Sequence, residues 1–242
     1  MRTDISPAEE FYVASLELLD ASGVPFLIGG AYAMREYADI YRDTKDLDVF
    51  CRPGDYQRIL QVLVEAGYCP EITDANWLAK ARLGDHYVDI IFNSANAICV
   101  VDDSWFEHAP TVELFERQVK LVPAEEVLWS KAYVQDRDRS DGADVLHIIR
   151  KQGSKLDWQR LMRRMDVHWE LLFAHILNFR FVYPSERDTV PQWLVDELTS
   201  RLAQQRTLPV PQERICRGPL LSRTQYEVDI TEWGYRWVFK HV

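Results

Sequence analysis

The apolar run Val24-Pro25-Phe26-Leu27-Ile28 stops at two consecutive glycines, Gly29 and Gly30, and this junction constrains the fold more than any other feature. A short apolar run bounded by glycine reads as a buried strand entering a tight turn, and residues 31–37 then continue at helical period. A second strand signal follows at Leu47-Asp48-Val49-Phe50-Cys51, broken by Pro53-Gly54 ahead of a helix reaching about Ala66. Residues 78–83, a Gly84-Asp85 turn and residues 87–92 read as a hairpin in which Asp89 is the one charge within an apolar strand. Upstream, Ser6-Pro7-Ala8-Glu9 has the form of a capping box opening a helix that runs toward Gly23.

Beyond Pro123 the period changes. Helical segments are expected near residues 124–137, 142–151, 158–165, 169–181 and 192–204, and a tail from Pro209, rich in proline, glycine and aromatics, is expected to be irregular and packed back on the body. The reading is α/β (α+β): a mixed sheet flanked by helices over 1–122, followed by a mainly helical region over 123–242. No internal repeat or low-complexity tract interrupts it.

Asp46 and Asp48 carry the chemistry. Residues two apart on a strand project from one face, so both carboxylates address one point while Leu47 enters the core. Carboxylates held this close repel unless a cation or proton compensates, and hard oxygen donors suit Mg2+ or Mn2+. Asp89 is the candidate third ligand. The glycine pair lets backbone amides approach phosphate oxygens, and a helix starting beside it adds positive dipole.

A glycine turn, an Asp-x-Asp strand and a third aspartate on a later strand resemble the DNA polymerase β-like nucleotidyltransferase superfamily, over roughly the first half of the chain. Arg42-Asp43-Thr44-Lys45-Asp46-Leu47-Asp48-Val49 looks like the version in small bacterial nucleotidyltransferases of the abortive-infection and toxin type. The resemblance implies a catalytic domain over 1–122, with Asp46, Asp48 and Asp89 holding metal and Gly29, Gly30, Arg42 and Thr44 on the nucleotide side. Asp89 is then also the candidate base for the acceptor hydroxyl.

Further along, the stretch 122–132 is similar to a family helix that supplies a triphosphate-contacting lysine, here Lys131. Asp141 or Asp144 matches an aspartate near the active site, although aspartate also favours helix N-termini. The chain has Ala31 where many relatives have serine, which removes one hydroxyl contact to phosphate, and its spacing from Gly30 to Asp46 is longer than in the compact pattern. The implied reaction moves a nucleoside monophosphate from an NTP to a small molecule, a protein or an RNA or tRNA end, releasing pyrophosphate. The appended half would choose the acceptor. Alternatives are a catalytically inactive module that binds nucleotide or a partner, and an antitoxin-like or scaffolding role.

Composition bounds the partners. Lysine and arginine total 28 against 38 acidic residues, a formal charge of −10, which opposes sequence-independent binding to a nucleic-acid backbone. Cys51, Cys69, Cys99 and Cys216 are widely spaced, and no histidine stands at ligand spacing, so free thiols in a reducing cytoplasm and no zinc site are expected. The N-terminal residues lack a basic segment followed by an apolar stretch, and no run has membrane-spanning length. Arg160, Arg163 and Arg164 are expected on a solvated helix face, and Trp169, Phe173, Ile176, Leu177 and Phe181 in a helical core stripe.

Overall fold

A computed structural model describes residues 6–238, so the first residues read for a leader lie outside the described part. The fold is mixed α/β, and its contacts divide it after Pro123 into two compact units.

The first unit opens with helix α1, Pro7–Ser22, capped as its sequence dictates. The Ser6 hydroxyl accepts from the Glu9 N–H at 3.2 Å, and Gly23 closes the helix in the left-handed conformation at φ 66°. Strand β1 is short, Leu27–Ile28. Then come α2 (Gly30–Ala38), β2 (Asp46–Phe50), α3 (Tyr56–Glu65), β3 (Cys69–Asp74), β4 (Leu78–Leu83) and β5 (His86–Ile91). A short helix α4, Asp103–Glu107, and a hairpin of β6, Thr111–Leu114, with β7, Arg117–Lys120, complete the unit.

The five-stranded sheet has the order β1-β2-β5-β4-β3. Only the central β2–β5 pair is parallel, and the other pairs are antiparallel. Leu47 and Val49 point into the core at 0% exposure while Asp46 and Asp48 alternate onto the other face, the outcome of a half-buried strand. Gly84-Asp85 forms the two-residue loop that pairs Leu83 with His86. Three elements carry little sequence signal: β3, whose residues are mostly exposed, the single turn of α4, and the β6–β7 hairpin.

The second unit contains α5 (Ala124–Ala132), α6 (Gly142–Gln152), α7 (Trp158–Arg164), α8 (Trp169–Val182) and α9 (Gln192–Gln205). The segment expected to be helical through residue 137 stops at Ala132, because residues 133–141 turn back through a Gln135–Ser140 bridge. The tail holds β8, Ile215–Cys216, the short helix α10, Glu227–Thr231, and β9, Arg236–Trp237, with β8 and β9 pairing in parallel. It is tied to its own unit where the Gln135 N–H donates to the Leu221 carbonyl at 3.4 Å and the Ser222 hydroxyl donates to Asp136.

Two packing expectations are corrected here. Arg160 is not solvated; it is buried at 6% exposure, donating at 2.7 Å to Glu126 and also to Glu125. Buried arginine requires carboxylate partners, and α5 supplies two. On α8 the core stripe is Leu172, His175, Ile176 and Phe179, whereas Leu177 and Phe181 are exposed, Phe181 by 85%. The helix is apolar on several faces, so spacing alone did not single out the inward one. Among the described residues no helix is long and apolar enough to cross a membrane.

Candidate active site

The parallel register of β2 with β5 sets Asp46 opposite Tyr87 and Asp48 opposite Asp89. Paired residues of adjacent strands project from the same face, so all three aspartates share one side of the sheet. On the far side of β5, Asp89 is the partner of Lys80 in β4. Asp48, Asp89 and Lys80 therefore form one row across three strands.

Asp48 is fitted to the glycine corner. The Gly29 N–H donates to the Asp48 carbonyl at 3.0 Å, and Gly30 sits at φ 55° as the first residue of α2. A Cβ on Gly30 would lie 1.6 Å from Asp48 Oδ2, so the carboxylate occupies the space that glycine leaves. Both the positive φ and the contact demand glycine. No side chain caps α2 at Gly29, which leaves the helix's positive end beside this carboxylate.

Asp46 is held from the preceding loop. The Thr44 hydroxyl donates to Asp46 Oδ1 and lies 3.1 Å from the Asp46 carbonyl oxygen, while the Tyr12 hydroxyl of α1 donates to the Thr44 carbonyl at 3.0 Å. The Tyr12 hydroxyl is pushed up to about 12, first by burial and then by the negative charge of Asp46, Tyr87 and Asp48. Beside this loop is a cavity of about 430 Å3 lined by Tyr12, Ala31, Tyr32, Arg35, Arg42 and Thr44 among others. Phe115 also faces it, packing edge-on against Tyr32 with centroids 5.3 Å apart.

Asp89 is the most enclosed of the three, at 8% exposure. Its carboxyl is raised above the usual range, chiefly because burial disfavours the charged form, with Lys80 acting in the opposite sense. The Lys80 ammonium lies 2.8 Å from Asp89 Oδ1 and 3.1 Å from Oδ2, and 4.3 Å from the centre of the Tyr87 ring. Burial works to lower the Lys80 ammonium, but the Asp89 carboxylate overcomes this and raises it.

Among the described residues no three histidine, cysteine, aspartate or glutamate side chains are gathered closely enough to hold a metal ion together. Asp46, Asp48 and Asp89 share a face of the sheet, with Asp48 and Asp89 directly opposite each other across β2 and β5. Asp46 and Asp48 do supply a pair of hard oxygen donors of the kind a magnesium-sized cation takes.

The remaining candidates lie in the second unit. Lys131 donates at 2.8 Å to both Asp141 and Asp144, and Arg139 approaches Asp141 at 3.4 Å. Asp141 stands at the N-cap of α6 but makes no capping bond with its side chain, so its carboxylate serves Lys131 instead. Sequence reasoning passed over Lys80 and Tyr12. The alternation of β4 places Lys80 on a definite face, but only the β4–β5 register identifies Asp89 as its partner.

No protein-family model matches the chain, and no curated protein matches its sequence. Solved structures that align with the chain include ANT(2'')-Ia in complex with adenylyl-2''-tobramycin, at 16% identity and TM-score 0.46 over 72% of this chain and 97% of that one. The lincosamide antibiotic adenylyltransferase LnuA, bound to lincomycin, aligns at 17% identity and TM-score 0.42 over 60% of this chain and 98% of its own. An antigenic nucleotidyltransferase-like protein from Paracoccidioides brasiliensis aligns at 16% identity and TM-score 0.45, covering 77% and 95% respectively.

Proposed function

We propose that this chain is a nucleotidyltransferase that moves a nucleoside monophosphate from an NTP to an acceptor hydroxyl and releases pyrophosphate. One observation carries the reading: Asp46, Asp48 and Asp89 share a sheet face, and Asp48 is packed into a glycine corner at the N-terminus of α2. A helix N-terminus suits phosphate, and the adjacent carboxylates suit a divalent cation.

In this reading Asp46 and Asp48 hold Mg2+ or Mn2+, which when bound would neutralise phosphate charge and polarise the α-phosphorus. The protein's own groups do the positioning. Thr44 orients Asp46 through its hydroxyl, and Tyr12 fixes Thr44 through the loop carbonyl. Amides at the start of α2 receive the phosphate chain, and the cavity bearing Arg42 and Arg35 takes the rest of the nucleotide. Asp89 stands on the same face, where it can accept the acceptor's proton once Lys80 yields. The second unit is the acceptor-selecting part, and within it Lys131 is tied to Asp141 and Asp144.

The test is transfer of label. Each α-labelled NTP is incubated with the protein, Mg2+ and cell extract, and RNA, protein and small-molecule fractions are counted. Wild type should label one fraction, whereas Asp46→Asn and Asp48→Asn should bind Mn2+ at least tenfold more weakly and transfer nothing measurable; undiminished transfer by Asp48→Asn refutes the assignment. A second reading, nucleotide binding without transfer, draws on the pairing of Asp89 with Lys80. It expects NTP bound in calorimetry and no label on any fraction.

A further inference from the structure

We propose that Phe115 is a base-stacking residue: carried at the tip of the β6–β7 hairpin, its ring forms with Tyr32 the wall against which the base of the donor nucleotide packs. This rests on the proposed nucleotidyl transfer and goes beyond it in giving the hairpin a part in holding the donor.

The turn of the hairpin supplies the first observation. Leu114 pairs with Arg117, so Phe115 and Glu116 alone make the turn. Their φ angles are 53° and 59°, and among the described residues they are the only consecutive non-glycine pair in the left-handed region. A two-residue turn of this hand ordinarily takes Asn-Gly, because a side chain there crowds the backbone. Glu116 is exposed and Phe115 half-buried, so the strain is not offset by full burial of either side chain. Strained positions persist where the surrounding structure holds them, and they gather at ligand clamps.

This turn is held from two directions. At the base of the hairpin Leu121 bridges to Ile28, and the Val122 N–H donates to the Ile28 carbonyl at 2.9 Å, directly ahead of the glycine corner. Behind the tip, Arg117 donates at 3.0 Å to both Glu17 and Asp20 of α1. Phe115 is thereby set against two rings, Tyr32 edge-on at 5.3 Å and Tyr12 tilted at 6.2 Å. An edge-on pair leaves ring faces available to a planar ligand.

The position of these rings identifies the ligand. The cavity they border, about 430 Å3, has the size of a small-ligand site. Its walls also include Ala31, in the first turn of α2, and Thr44, whose hydroxyl holds Asp46. A group seated against Phe115 therefore lies beside both the phosphate-receiving helix end and a metal-holding carboxylate, and the flat, apolar-faced part of a nucleotide is its base. Stacking suits every base, since each presents a π face. Phe115 accordingly contributes affinity for the donor rather than choice among bases.

Binding tests this without turnover, using a non-hydrolysable triphosphate of 2-aminopurine riboside, whose fluorescence falls when the base stacks on an aromatic ring. Wild type should quench it on binding. Phe115→Leu, as strained at this φ as phenylalanine but without the ring, should bind it roughly 5- to 150-fold more weakly and lose most of the quenching. Phe115→Tyr should restore both, and the analogues of all four natural NTPs should lose affinity for Phe115→Leu by the same factor in calorimetry. Glu116→Gly, which relaxes the turn without touching the cavity, should raise the melting temperature by about 2–8 °C and leave affinity unchanged. Phe115→Leu binding and quenching like the wild type overturns the inference and leaves nucleotidyl transfer to be judged by the label assay. A loss that Phe115→Tyr does not recover also overturns it, because the ring is then not what the base meets. No binding by the wild type, together with no label transferred, removes the transfer reading and the inference together.

Discussion

Gly30 shows how one residue type can be required for two separate reasons. Its φ of 55° lies in the left-handed region, where a side chain costs about 1–2 kcal/mol, and its missing Cβ makes room for the Asp48 carboxylate. Gly23 has the first property without the second: φ is 66° and nothing lies within 4 Å of its would-be Cβ. The two positions separate strain from site geometry. Gly23→Ala should lower the melting temperature by about 2–8 °C and leave Mn2+ affinity unchanged. Gly30→Ala should lower melting by at least as much and weaken Mn2+ about as severely as Asp48→Asn, because the new methyl displaces the carboxylate. Circular-dichroism melts and Mn2+ titrations on the same samples check both expectations, and intact Mn2+ binding in Gly30→Ala would detach the glycine corner from the site.

Among the helices, α5 shows how a polar face is accommodated in a core. Glu125 and Glu126 fall in its first turn, where acidic residues suit the helix dipole, yet both are buried. Burial raises the Glu126 carboxyl even though Arg160 and Arg164 oppose the shift. Arg160 of α7 answers both acids, and Glu125 further accepts the Asp157 N–H at 2.6 Å just ahead of α7. The two helices are joined by charge as much as by apolar contact. Arg160→Met leaves two buried carboxylates without their main partner and should cost about 3–5 kcal/mol in urea unfolding. Adding Glu125→Gln and Glu126→Gln to it should restore part of that loss, since neutral side chains carry no uncompensated charge. If the single variant unfolds at the wild-type urea midpoint, the cluster is not what joins α5 to α7.

Across the whole molecule, the two units each fold around their own core, and thiol burial reports on both. Cys51 and Cys99 are buried in the first unit and Cys216 in the second, while Cys69 is exposed on β3. The Cys51 thiol is pushed up to about 12, mainly by burial. Of the four, Cys69 alone should react quickly with a thiol-disulfide reagent under native conditions, with the other three following at least tenfold more slowly until denaturant is added. Rapid native modification of more than one thiol, read by mass spectrometry, would contradict this packing. The local signals in the chain were sufficient for the N-cap at Ser6, the glycine stop at Gly23, the Gly84-Asp85 loop and the same-face projection of Asp46 and Asp48, because each depends on residues within a few positions of one another. Asp89 could be singled out as a charge in an apolar strand, but its neighbours could not. The pairing of Asp48 with Asp89 and of Asp89 with Lys80, the burial of Arg160 against α5, and the inward stripe of α8 depend on register and docking between segments far apart in the chain. A strand's own sequence determines which of its side chains share a face; only the assembled sheet decides which charge stands opposite which, because that choice minimises the energy of the whole packing rather than of any one segment.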